Sequence, residues 1–191
     1  MLKDLVLNSR SYRRFYEDYV IELDVLIELI ELSRYTPSSR NLQPLKYILS
    51  VGKRTNHIIF NNLMWAGYLN DWNGPEKGER PVAYIIILGD TSITDNFYCD
   101  PGIVAQTILL GAVEKKLGGC IISAINRTNL HDELNIPKKY NIQYVIALGK
   151  PKEKVVITEV ESNGDIKYWR DERKVHYVPK RSLNEIILKK Y

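Results

Sequence analysis

The stretch Val82 to Gly89, VAYIIILG, constrains the fold of this chain more than any other. It is a continuous apolar run with β-branched residues, bounded by Pro81 and Gly89, and far shorter than the roughly 20 residues of a membrane-spanning helix. A half-buried strand would alternate apolar and polar side chains. A strand apolar on both faces needs a covering layer on each, so the run predicts an inner strand of a layered sheet. GGCIISAIN, from Gly118, and YVIALG, residues 144–149, read as two further inner strands, and LKYILSVG, residues 45–52, as another strand.

Helical periodicity fills the gaps between these strands. After Asp24, the spacing of Val25, Leu26, Leu29, Ile30 and Leu32 predicts an amphipathic helix that Pro37 ends. Asp100-Pro101 predicts a second helix start, with Asp100 as N-cap and proline at the first helical position. This helix runs through Ile103, Val104, Ile108, Leu109 and Val113 and is expected to stop at Gly118. It is apolar on most faces, so it suits a central position or a surface between two subunits. A short helix is expected at 129–135, before Pro137. VVITEVESNGDIKYWR reads as a hairpin turning at Asn163-Gly164, and Ser182 with Glu185 as the capping box of a terminal helix through Leu188. Helices alternating with strands and ending in a hairpin indicate an α+β or mixed α/β layer fold, expected as a single domain over residues 1–191.

The 191 residues, 45% hydrophobic and 26% charged, have the composition of a folded globular chain. MLKDLVLNSR is broken by Lys3 and Asp4 and resembles neither a signal peptide nor an anchor, so a cytoplasmic protein is expected. Cys99 and Cys120 lack redox or metal spacing, and His57, His131 and His176 lie far apart, so no metal site is expected. The net charge of +4 suits phosphorylated small molecules and also weak nucleic-acid binding. In YWRDERKVHYVPKR, basic and aromatic residues interleave, as on a nucleic-acid stacking surface or a charged edge strand.

Two polar segments bracket the first helix. SRSYRRF, residues 9–15, gathers Arg10, Arg13 and Arg14 around Ser11; PSSRNLQP, residues 37–44, supplies hydroxyls, an arginine and side-chain amides. Both suit anion-binding or cofactor-binding loops, and both are also compatible with ordinary surface turns. The phosphate loop GxxxxGK[ST], the dinucleotide loop GxGxxG, HExxH and GxSxG are absent. What remains is dispersed: cations and a hydroxyl at 10–13, hydroxyls and amides at 38–43, small residues at Ser123-Ala124, and Lys180-Arg181 near the end. Arginine grips phosphate through charge-assisted, often bidentate hydrogen bonds, and small residues allow close approach to a flat ring.

These segments resemble, in order, the motifs of the nitroreductase family. SRSYRRF resembles its R-R-S-x-R-x-F opening, PSSRNLQP its P-S-S-x-N-x-Q-P loop, and DPGIVAQTILLGAVEKKLGGCIISA its D-x-G-x-x-x-Q-x-x-x-L-x-A-x-x-x-G-L-G segment. ALGKP and VPKRSLNEII resemble its later strand end and its C-terminal basic motif. The resemblance implies an α+β fold with a central mixed, mainly antiparallel β-sheet flanked by helices, and an intertwined homodimer binding FMN at its interface.

It further implies that Arg10, Ser11 and Arg13 hold the ribityl phosphate and pyrimidine edge, completed by Arg181 and Lys180. Pro37, Ser38, Ser39, Arg40 and Asn41 would come from the partner subunit. Ile122, Ser123 and Ala124 would lie along the isoalloxazine. The implied activity passes hydride from NADH or NADPH through FMN to a small-molecule acceptor, a nitroaromatic or a quinone, in ping-pong fashion. Trp65, Tyr68 and Trp72 are candidate substrate-facing residues, with core packing the competing expectation. Ser9, Leu45 and Ser123 depart from the family pattern. Dehalogenation or flavin breakdown within the fold, a nucleic-acid module, and a structural dimer with a decayed site are the alternatives.

Overall fold

The computed structural model describes residues 1–69, 71–161 and 164–191. Its elements begin with α1 (Leu2–Asn8), α2 (Leu23–Arg34), β1 (Leu45–Ser50), α3 (Lys53–Asn61) and β2 (Ala83–Asp90). They continue with α4 (Asp100–Glu114), β3 (Gly118–Ile122), α5 (Arg127–Glu133) and β4 (Tyr140–Gly149). The chain ends with β5 (Val155–Glu159), β6 (Trp169–Arg170), β7 (His176–Lys180) and α6 (Leu183–Ile186). The main sheet has the order β1-β2-β4-β3 with every pairing antiparallel, and helices flank it.

β2 lies inside this sheet and is buried along its whole length, as its unbroken apolar run requires. Its alternating side chains feed two cores. Ala83, Ile85 and Ile87 join Leu26, Leu29, Val104 and Ile108 of α2 and α4 on one face. Tyr84, Ile86 and Leu88 join Ile59, Leu130 and Trp65 on the other.

Several local expectations are corrected. Asp100 is the first residue of α4 rather than its N-cap, which is Cys99. The helix ends at Glu114, and Lys116, at φ +59°, makes the left-handed turn expected of Gly118, which instead opens β3. Gly118 is needed for proximity: a Cβ there would lie 2.5 Å from the Tyr12 ring. The short helix begins at Arg127, where the Asn126 side chain caps the Asn129 N–H.

The larger correction concerns the C-terminal region. β5 and the arm containing β6 do not pair with each other; the second sheet has the order β5-β7-β6, with β5 parallel and β6 antiparallel to β7. The expected turn residue Asn163 lies outside the described residues. The Ser182–Glu185 capping box is not formed: Ser182 makes no side-chain cap bond, and Glu185 pairs with Arg181.

Candidate functional site

Segment 10–15 lies along the free edge of β3. Ser11 forms a parallel bridge with Gly119, the Tyr12 N–H donates to the Gly119 carbonyl at 3.0 Å, and Phe15 bridges to Pro151. Phe15 is fully buried, so it anchors the segment by its ring. β3 then runs into exposed Ser123 and Ala124, whose N–H groups donate to no described residue; the Ala124 carbonyl accepts from Met64. Ile122 itself is buried.

The three arginines and the serine of this segment differ in their freedom. Arg10 donates through Nη2 to the Val6 carbonyl at 2.7 Å, while its Nε is buried without a partner. Ser11 is exposed. Arg14 is locked in an ion pair with Glu79, and this guanidinium holds the Glu79 carboxyl down at about 2.

Arg13 is built into a cluster joining the two sheets. Its backbone N–H donates to Glu153 Oε1 at 2.5 Å, and the buried Glu153 also takes Arg170 Nη2 at 2.9 Å. The Arg13 guanidinium lies 5.1 Å from the Tyr168 ring centre and 3.4 Å from His176 Nε2. Arginine can only donate, so the neutral His176 ring accepts at Nε2 and carries its proton on Nδ1, which is buried without a partner. Burial, with Arg13 and Arg170 adding to it, lowers the His176 pKa to about 4.

The loop at 37–41 is held elsewhere. Asp100 accepts from Ser38 Oγ at 2.5 Å and from the Ser39 N–H at 3.0 Å, while Ser38 Oγ accepts the Gln43 N–H at 2.9 Å. Arg40, Asn41 and Gln43 all take positive φ, between 50° and 55°, and Pro37, Arg40 and Asn41 are exposed. Behind the loop lies a cleft of about 270 Å³ lined by Ser33, Pro37, Tyr47 and Val104 among others.

Both polar segments are thus tied to α4, because Gln106 donates to Ser9 Oγ at 3.4 Å. Asp100 and Gln106 are six residues apart, which places them about 9 Å along the helix and about 120° around it. Lys180 and Arg181 are exposed; Lys180 lies roughly 13 Å along β7 from His176.

Of the three aromatics, Trp65 is buried in the core beside Phe60, and Trp72 is covered by the Arg170 guanidinium, 4.1 Å from its ring. Tyr68 stays half exposed, 5.0 Å from the Tyr168 ring.

The sequence profile described as the Nitroreductase family matches residues 6–150. The chain belongs to the nitroreductase family. No curated protein matches it in sequence. Among solved structures it resembles a nitroreductase family protein of Streptococcus pneumoniae TIGR4, with TM-score 0.72, 15% identity and 100% coverage of both chains. It also resembles a protein of Desulfovibrio desulfuricans assigned as a nitroreductase and solved in complex with FMN, with TM-score 0.72, 20% identity and coverage of 100% and 96%. An FMN-dependent nitroreductase of Clostridium difficile R20291 aligns with TM-score 0.62 and 22% identity over 78% of this chain and 87% of that one. At these identities the likeness establishes the fold.

The region after residue 150 lies beyond the part of the chain matched by the family profile, and it supplies residues that motif reasoning did not find. Glu153 and His176 immobilise Arg13, and Asp100 immobilises the serine loop. Asp100 stands in a quoted motif, where its acidity served only as a helix-start signal. Glu153 offered no signal at all, being one charge in a lysine-rich stretch.

Among the described residues, no cluster of His, Cys, Asp and Glu could hold a metal, and no helix is long and apolar enough to cross a membrane.

Proposed function

We propose that this nitroreductase-family chain is a homodimeric FMN oxidoreductase using NADH or NADPH to reduce a conjugated acceptor such as a nitroaromatic or quinone. One observation carries the reading: the arginine segment and the exposed Ser123-Ala124 turn share one edge of the sheet, presenting a cation beside unengaged N–H groups.

These residues fit FMN. Arg10 has a buried, unpartnered Nε and an otherwise accessible guanidinium, suited to a phosphate. Ser11 adds a hydroxyl, and Arg13 faces the pyrimidine edge while its backbone is held by Glu153. The free N–H groups of Ser123 and Ala124, next to Ile122, suit the electron-rich edge of the ring. FMN, when bound, would supply the chemistry of hydride acceptance from the nicotinamide and electron return to the acceptor. The chain itself binds, orients and shields, and both substrates would use one open face in turn.

Pro37, Ser38, Ser39, Arg40 and Asn41 enter from the partner subunit in this proposal. Their attachment to a different side of α4 from Ser9 favours service to a second site. Lys180, at the far end of β7 from His176, and Arg181, just past it, complete a phosphate site once the two chains are assembled. Exposed Leu2, Leu183, Ile186 and Leu188 give the dimer apolar surface to bury. Tyr68, open to solvent, faces the acceptor, and Trp65 and Trp72 back it. The chain forms one domain, and its free Cys99 and Cys120 suit the reducing cytoplasm.

The visible absorption spectrum of the purified protein, followed by anaerobic addition of NADH and then NADPH, tests this. Yellow protein that releases FMN and bleaches with a nicotinamide is the expected result. A colourless protein that takes up no added FMN overturns it.

A further inference from the structure

A cleft of about 730 Å³ opens on the β1–β2 side of the main sheet, within the volume range of small-molecule sites. β4 separates β2 from β3, and none of the cleft's lining residues belongs to the segments at 10–13, 37–41, 122–124 or 180–181. Its floor is apolar and partly aromatic, formed by Ile21, Phe60, Val82 and Tyr84.

Arg80 supplies the polar feature. Its guanidinium lies 4.3 Å from the centre of the Phe60 ring, and its Nε is buried without a hydrogen-bond partner. A guanidinium with one N–H already unpaired is short of acceptors, so an anion reaching its outer Nη groups from the cleft is favoured. Lys53 and Lys77 add two cations to the lining, against Glu17 and Asp18. Glu17 is held by the N–H groups of Gly78 and Arg80, and with Arg80 counted the cations of the lining outnumber its two carboxylates, so the mouth is net positive.

We propose that this cleft binds an aromatic carboxylate, the ring lying on Phe60 and Val82 and the carboxylate on Arg80. The inference is independent of the flavin reading. A charge-assisted contact of this kind changes affinity by about 10- to 100-fold.

The test uses the protein as purified, titrated with 2-naphthoate and with its neutral counterpart 2-naphthamide, by calorimetry and saturation-transfer NMR. Naphthoate is expected to bind one per chain and about tenfold more tightly than the amide. Arg80→Met keeps the stem on Phe60 and should abolish that preference while leaving bound flavin unchanged. Should that variant fail to fold, Lys53→Met at the exposed mouth should weaken naphthoate severalfold with no effect on the amide. Equal affinity for acid and amide, or a preference that survives Arg80→Met, overturns the proposal. So does naphthoate binding that NADH competes away, since the ligand then occupies the nicotinamide site.

Discussion

The carboxylate of Asp100, in the first turn of α4, takes the Ser38 hydroxyl at 2.5 Å and the Ser39 N–H at 3.0 Å. Two residues 62 positions apart in sequence thereby fix a loop whose next residues, Arg40 and Asn41, sit at positive φ. Such backbone persists only where surrounding contacts hold it. Asp100→Ala should therefore destabilise the protein by about 2–3 kcal/mol in denaturant titration, since it removes two hydrogen bonds to a buried charge. If the serine loop serves the flavin as proposed, its release should also lower flavin content.

Lys116 closes α4 in the left-handed region at φ +59°, where a side chain is unfavourable. Lys116→Gly should raise stability by about 0.5–1 kcal/mol, net of the entropy glycine loses on folding. Thermal melting checks it, and an unchanged or lowered midpoint contradicts the assignment of strain there.

Glu79 is paired with Arg14 and lies 3.2 Å from Lys152. The hydrogen bond from Arg14 is the main cause of its depressed pKa of about 2, against an ordinary 4.5. A depressed carboxylate contributes stability above its unfolded pKa and loses it as pH falls toward the folded one. Stability should thus decline between about pH 4.5 and 2. Glu79→Gln should flatten that decline and destabilise the protein at pH 7 by about 2 kcal/mol.

His176 acts in a different window. Its ring is 1% exposed, and its pKa falls from 6.5 to about 4. The unfolded chain binds the proton more readily, so stability present above pH 6.5 is lost as pH drops toward 4. NMR should find this ring neutral at a pH of about 5.5, where an unperturbed histidine is mostly protonated. A His176 resonance titrating near 6.5 would contradict the buried cluster with Arg13 and Arg170.

The flavin assignment rests on cations. Arg10→Ala combined with Arg181→Ala should reduce FMN occupancy at least tenfold, measured by absorbance of the purified protein, while the fold persists by circular dichroism. Full occupancy in the double variant removes both residues from the phosphate site.

The sequence determined by itself those features that depend on neighbours along the chain. The unbroken run of residues 82–89 required a strand covered on both faces, and β2 is buried at every position. Apolar spacing after Asp24 marked α2, and the order of SRSYRRF, PSSRNLQP and the Asp100 segment marked the family that the profile over residues 6–150 establishes. The tertiary structure decided what depends on distant partners. Residues 155–170 carry the alternation of a hairpin, yet both arms pair with β7, because side-chain periodicity states which face is buried but not which strand lies alongside. Glu185 has capping-box spacing but pairs with Arg181, since at the surface a cation competes with a backbone N–H. Glu153 is one acid among lysines until the second sheet folds over it; only then does burial make it the acceptor that holds Arg13.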